Sequence, residues 1–237
     1  MELQGRIVKR SELLPHQIEI MFSLMNEFYY NMDFERFLSD LNAKDYCVVL
    51  YNEDKLVGFS TQKLLSFPVC GREIHGVFSG DTIIHKDHWG SMELFKIFAR
   101  FFLTYAKKYN EFYWFLISKG YKTYKILPTF FVDFYPNYQK EIPYDEKNIM
   151  DAYGKLLYPD EYDFESSVIK YRGIKDVLRA GVADIDERAR RDKNIQFFEQ
   201  SNPGYVQGYD LVCLARLCDN NLRPFVKRLL FPRETVG

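Results

Sequence analysis

The sequence predicts an α+β fold: a central mixed sheet, mostly antiparallel, with one parallel strand pair and helices on its faces. Three observations carry this reading. Residues 46–84 alternate β-rich runs with turn residues, the pattern of a three-strand meander. Residues 91–109 carry a wide apolar stripe at helical spacing. An apolar run, Phe112 to Ile117, follows that helix. Strand, helix, strand in sequence implies a crossover and so a parallel pair.

Arg6 to Arg10 reads as a short strand, and Leu14-Pro15 opens a helix running to about Tyr30. Its apolar positions, Ile18, Met21, Phe22, Met25 and Phe28, recur every three or four residues. Phe34 to Leu41 reads as a second helix. The meander follows as strands Tyr46–Tyr51, Leu56–Phe67 and about Ile74–Ile84, with turns at 52–55 and at Pro68 to Gly71. Gly90 breaks the chain, and Ser91 is a candidate cap for the long helix. After Phe112–Ile117, Lys119-Gly120 punctuates. Tyr121 to Leu127 reads as a short helix ended by Pro128, and Phe130 to Tyr135 as a strand. Beyond Pro136 the pattern blurs: 140–165 is polar and rich in Tyr and Pro. Ser167 to Tyr171 and Tyr209 to Leu217 read as strands, Asp192 to Gln200 and Leu222 to Leu230 as helices. The division expected is a core over 1–138 and an α/β C-terminal extension over 139–237, packing on or covering a cleft.

Hydrophobic residues make up 47% of the 237, enough for a sizeable core. A net charge of −1 supplies no field to hold nucleic acid or an anionic membrane. The basic run Arg188 to Lys193 is flanked by acidic residues and reads as a solvated face. The opening Met1 to Arg6 lacks a signal peptide's pattern, and no window offers the roughly 18 apolar residues of a membrane span. The four cysteines form no C-x-x-C pair, which fits reduced thiols and a cytoplasmic location. Phe and Tyr, 21 and 18 of them, fit either a large aromatic core or an apolar tunnel for a long ligand.

Over roughly residues 6–138 the order of elements resembles the GNAT superfamily of N-acetyltransferases. The stretch that carries the resemblance most closely is Ser79-Gly80-Asp81-Thr82-Ile83-Ile84-His85-Lys86-Asp87-His88-Trp89-Gly90-Ser91, running into the long helix. In that family a strand ends in a similar way, and the following loop and helix N-terminus bind the pyrophosphate of coenzyme A. A helix start suits a diphosphate, because its free amides and dipole are positive. The resemblance implies a donor site at Ile83, Ile84, His85, His88, Trp89, Gly90, Ser91 and Met92. The family's loop reads Arg/Gln-x-x-Gly-x-Gly/Ala. Here Trp89 stands first, Met92 and Leu94 replace the later small residues, and only Gly90 survives. The donor expected is therefore acyl-CoA, or the phosphopantetheine of an acyl carrier protein. The segment Ser118 to Leu127 resembles the family's next stretch, where a Tyr on a short helix protonates the departing thiolate. Tyr124 falls near that position, with Tyr121 as substitute.

Acyl transfer to an amine needs a base, an oxyanion donor and an acid for the thiolate. A backbone N–H near Ile84 would serve the oxyanion. Asp81, three residues before it and near Phe78 and Ile83, is the candidate base; the plainer reading is that it caps a bulge or bonds a neighbouring hydroxyl. His85 and His88 could act as base or touch phosphate, or lie in a solvated loop. Their His-x-x-His spacing is weak evidence of a metal, and none is expected. Cys47, mid-strand, and Cys70, in a turn, lack an adjacent His to activate them as nucleophiles.

The expectation is thus an N-acyltransferase. It would move an acyl group, acetyl or longer and fatty, directly from a thioester to an amine of a small molecule or peptide. A non-catalytic acyl-thioester binding module is the alternative, and a structural protein with an aromatic interface a third reading. The partners expected are the thioester donor and the amine acceptor, without nucleic acid. A homodimer is compatible with the sequence.

Overall fold

A computed structural model of the chain describes residues 3–231. Met1 and Glu2, part of the N-terminal stretch read above, and residues 232–237 lie outside them.

Strand β1 (Gln4–Lys9) leads to helix α1 (Pro15–Phe28), a two-residue strand β2 (Tyr29–Tyr30) and helix α2 (Phe34–Asn42). The meander follows as β3 (Tyr46–Asn52), β4 (Lys55–Val69) and β5 (Arg72–Ile84). Helix α3 (Glu93–Ala106) crosses over to β6 (Phe112–Ser118). Then come short helices α4 (Tyr121–Tyr124) and α5 (Ile126–Phe130), α6 (Tyr144–Leu157), and short strands β7 (Tyr162–Asp163), β8 (Val168–Ile169) and β9 (Val177–Leu178). Helix α7 (Lys193–Ser201), strand β10 (Asp210–Arg216) and helix α8 (Pro224–Leu230) complete the order. Among the described residues no helix is long and apolar enough to cross a membrane.

Eight strands form one sheet, in the order β1-β3-β4-β5-β6-β10-β8-β7. Its strand pairs are antiparallel except β5–β6, which is parallel, as the crossover through α3 requires. Strict alternation sends Val48, Leu50, Trp114 and Leu116 to one face, where they pack with Leu94, Phe98 and Phe102 of α3 and with residues of α5, α7 and α8. The other face carries two clusters. Cys47, Val49 and Phe59 pack under α1 and α2, while Leu65, Phe67, Tyr113 and Phe115 pack under α6. The aromatic side chains are largely absorbed here, with Phe95 and Phe130 stacked at 3.7 Å and Phe98 against Trp114 at 4.8 Å.

Several expectations change. Residues 139–231 do more than pack on the core: β10 fills an inner position of the sheet, between β6 and β8, and shares the α3-side core. Phe130 to Tyr135 is not a strand and makes two isolated bridges, Phe131 with Leu222 and Tyr135 with Leu214. Its residues turn inward in pairs, Phe130-Phe131 and Phe134-Tyr135, with Val132 and Asp133 exposed between them. That is not a strand's period of two. Pro128 lies inside α5 rather than ending a helix, in a first turn where a missing N–H costs little. Helix α6 sits in the stretch that read as blurred, burying only Ile149, Met150, Tyr153 and Gly154.

Candidate functional site

Strands β5 and β6 run side by side from His75 and Phe112 to Ser79 and Leu116, and then part. Beyond that point β5 is paired to β4 alone and β6 to β10 alone. The parting coincides with a bulge. Ser60 faces Thr82 and Gln62 faces Ser79, so Gly80 and Asp81 together oppose Thr61. A Cβ at 80 would lie 2.7 Å from Thr61 Oγ1 and 2.9 Å from Lys44 Cε, so a larger residue there would have to displace those side chains. His85 N–H bonds Val57 O on β4. By ladder alternation, the peptide groups of Thr82 and Ile84 therefore point the other way, toward the gap.

On the α1–α2 face this gap opens into a pocket with a cavity volume of about 130 Å³, between the two clusters of that face. Asp81, Tyr29, Asp40, Lys44, Lys119 and Tyr171 are among its lining residues. Its cations are largely engaged. Lys44 pairs with Asp40, at 2.5 Å. Lys119 reaches Asp176 at 3.1 Å and Asp210 at 3.4 Å, and Lys175 reaches Asp176 at 2.8 Å. Burial alone would lower the Lys119 ammonium, but Asp210 and Asp176 outweigh it and hold its pKa above the usual lysine value. Burial would raise Asp176, yet Lys119 and Lys175 hold it down at about 2.

Asp81 is the carboxylate left over: its side chain makes no hydrogen bond or ion pair among the described residues. Neither plainer role, a bulge cap or a bond to a hydroxyl, is found. Burial first, then the field of Asp40, push its pKa up to about 6, against the opposing pull of Lys44. Tyr29 lines the same pocket, and its hydroxyl likewise bonds no described residue. Burial and then Asp81 raise its pKa far above the usual tyrosine value.

A strap roofs the pocket. Arg36 Nη1 donates to Ile174 O at 3.0 Å and Asn31 Nδ2 to Lys175 O at 3.2 Å. Tyr29–Tyr30 pairs with Val177–Leu178, and Lys119 Nζ donates to Asp176 O at 3.1 Å. Tyr158, Tyr171, Asp176 and Asp210 thus reach the pocket from the C-terminal part, to which the sequence assigns an extension and gives these residues no role at the site. The only local signal for Asp210 is a carboxylate directly before an apolar strand.

Of the donor-site residues, Ile83 is buried under α1 and α2, and Ile84 packs at the α3-side cluster. Trp89 folds back so that its indole N–H donates to Ile84 O at 2.9 Å, with its ring 5.9 Å from Phe28. Lys122 sits over that ring. Gly90 adopts φ +91°. Ser91 Oγ accepts from Glu93 N at 3.2 Å, but Met92, not Ser91, is the residue preceding the helix. The Leu94 and Phe95 amides at the start of α3 bond no described residue, while Glu93 places a carboxylate in the same turn.

Two candidate acid–base residues stand elsewhere. Tyr124 is fully buried in the α3-side core, packed on Phe197 and Phe198, and donates to Pro136 O at 2.9 Å. Burial lifts its pKa beyond the usual range, and it does not line the pocket. Tyr121 is half-buried and also outside it. His85 turns toward the end of α1, with Nε2 3.5 Å from Glu27 Oε2, and shares no cavity with Asp81. The His85 and His88 rings lie 6.3 Å apart, and among the described residues no three His, Cys, Asp or Glu side chains are arranged to hold a metal. Burial pushes the Cys47 and Cys213 thiols up to about 12.

No protein-family model and no curated protein matches the chain. Several solved structures are similar to it at low identity. An aminoglycoside acetyltransferase from an uncultured soil metagenomic sample is 12% identical, covering 60% of this chain and 99% of its own, with a TM-score of 0.44. A probable N-acyltransferase of Enterococcus faecalis V583 is 16% identical with a TM-score of 0.41. The match covers 65% of this chain but spans only 44% of the length of that protein. NAA60 of Arabidopsis thaliana, in complex with a bisubstrate analogue, is 13% identical, covering 56% of this chain and 86% of its own, with a TM-score of 0.40.

Proposed function

We propose that the chain is a divergent GNAT-type N-acyltransferase, transferring an acyl group directly from a pantetheine thioester to an amine. The observation that carries this reading is the parting of β5 and β6 at the bulge, with an unpaired, protonation-poised Asp81 beside it. The peptide groups of Thr82 and Ile84, without a strand partner, suit the amides of a pantetheine arm. The start of α3 suits a diphosphate less well, since Glu93 opposes it and no glycine-rich turn lies there.

In this reading the acceptor amine enters from the pocket side and gives its proton to the Asp81 carboxylate. Its nitrogen attacks the thioester carbonyl, and a gap-facing backbone N–H stabilises the oxyanion. The carbon–sulfur bond breaks, and the thiolate takes a proton. Tyr29, protonated and in the pocket, is placed to donate a hydrogen bond to the departing thiolate, whereas Tyr124 lies in the core. The acyl group is acetyl or another short one, because the aromatic rings pack against one another in the core rather than along a tunnel. The strap over a small cavity favours a small-molecule amine as acceptor.

The test is thiol release by the purified protein, with acyl-CoA donors from acetyl to palmitoyl and a panel of small amines and peptides. An acyl carrier protein loaded with the same acyl group serves as the second donor. Amine-dependent release supports the reading. Thioester binding seen by native mass spectrometry without turnover would replace it with the binding-module alternative. Neither binding nor release with any donor would end both.

A further inference from the structure

A line of polar side chains crosses the α3-side face of the sheet where an apolar surface would pack more simply. Ser60, Gln62 and Ser79 are only 2%, 1% and 6% exposed. They are joined end to end. Trp114 Nε1 donates to Ser79 Oγ at 2.8 Å, and Ser79 Oγ to Gln62 Oε1 at 2.7 Å. Gln62 Nε2 donates to Ser60 Oγ at 2.7 Å, and Ser60 Oγ lies 2.7 Å from Thr82 Oγ1. Thr82 Oγ1 in turn reaches Gly80 O at 3.3 Å.

Counting protons gives the line a direction. An indole N–H can only donate, so Ser79 accepts from Trp114 and passes its own proton to an acceptor. That acceptor must be the amide oxygen of Gln62, which fixes the orientation of the amide. The amide nitrogen then donates to Ser60. A buried hydroxyl keeps its proton bonded, and Thr82 is the remaining acceptor for Ser60. The Thr82 proton goes to Gly80 O. All five donors therefore point the same way, and the line ends on the peptide that joins Gly80 to Asp81. Donors in series polarise one another. From the other strand Thr61 faces Gly80, yet its buried hydroxyl has no partner among the described residues.

We propose that Trp114, Ser79, Gln62, Ser60 and Thr82 form a directional hydrogen-bond relay that positions the Gly80–Asp81 bulge for acyl transfer. These are positioning residues, none of which touches the reacting atoms through its side chain. The relay holds the bulge peptide in one orientation and so sets where the Asp81 carboxyl meets the acceptor. This rests on the acyltransfer reading above.

The test uses the full chain with Thr82→Val, Thr82→Ser and Gln62→Met. Thr82→Val and Gln62→Met should each lower kcat by roughly tenfold or more, with both KM values within about twofold and cooperative melting retained. The low-pH limb of the rate profile should move in both. Thr82→Ser, which keeps the hydroxyl, should restore kcat to within about twofold of the parent. Unchanged kcat and pH limb in Thr82→Val, or a Thr82→Ser as impaired as Thr82→Val, would overturn the relay. In protein labelled at glycine carbonyl carbons, the Gly80 resonance should shift in Gln62→Met as well as in Thr82→Val. A Gly80 signal unmoved by Gln62→Met overturns the relay, even if the parent protein releases no thiol and the acyltransfer reading has itself failed.

Discussion

The Lys122 ammonium lies 3.6 Å from the centroid of the Trp89 ring. Trp89 follows β5 and Lys122 follows β6, so this cation–π contact ties together the ends of the two strands that part. The same indole covers the Ile84 carbonyl, one of the groups a pantetheine arm would use. Burial lowers the Lys122 pKa, with Asp184 opposing.

Trp89→Ala should therefore bind the donor more tightly. A partly exposed cation–π contact contributes about 0.5–1 kcal/mol, and its release corresponds to a Kd lower by about two- to fivefold. Calorimetry with acetyl-CoA reads this directly. Weaker binding would instead make Trp89 a contact of the donor.

Asp81 ties activity and stability to pH in opposite senses. As a base it must be ionised, so the rate should rise with pH through a midpoint near 6, the value to which burial raises it. Asp81→Asn should cost about 10²–10⁴-fold in kcat. A carboxyl raised above its unfolded value stabilises the fold fully only below that unfolded value, and the contribution is lost as pH rises through the folded one. Asp81→Asn should thus melt above the parent at pH 8, with the gap closing by pH 4. A melting difference independent of pH would contradict the burial of this group.

Tyr124 and Tyr29 should separate cleanly. Tyr124→Phe leaves the Pro136 carbonyl without its donor and should cost about 1–3 kcal/mol of stability while sparing kcat. Tyr29→Phe should leave melting nearly unchanged and reduce kcat. Parallel kinetics and denaturant titrations of the two variants check this, and the opposite pattern would return the acid role to Tyr124.

Lys119→Met removes the cation shared by Asp176 and the buried Asp210. Asp176 keeps Lys175, so the uncompensated group is Asp210, and leaving one buried charge without its cation costs about 3–5 kcal/mol. Urea denaturation of the variant should show a loss of that size at pH 7.

Much of the sheet was legible because its strands obey local rules. Strands β3 to β6 announce themselves by β-rich runs between turn residues, and the crossover through the Leu94, Phe98, Phe102 stripe fixes the one parallel pair. Asp81 stood out in the sequence as a carboxylate inside an apolar strand, and the structure places it in the pocket without a partner among the described residues. The failures are equally physical. Tyr124 was placed by its position on a short helix, but a four-residue helix can present a side chain to either layer, and burial chose the core. Helix α6 was hidden because tertiary packing of Ile149, Met150 and Tyr153, rather than a full apolar stripe, holds it. Lys119, Asp176 and Asp210 meet across more than fifty residues of chain, and no spacing reports such a meeting.

The position of β10 has a consequence for biosynthesis. Among the described residues it is the last strand in chain order, yet it sits inside the sheet, between β6 and β8. Until residues 210–216 leave the ribosome, β6 offers one open edge of unpaired backbone, flanked by Tyr113, Trp114 and Phe115. Such edges recruit other chains, and closing one across so long a loop is slow. Nascent chains of this protein should lean on chaperones until β10 has emerged, after strands β1 to β6 are already made.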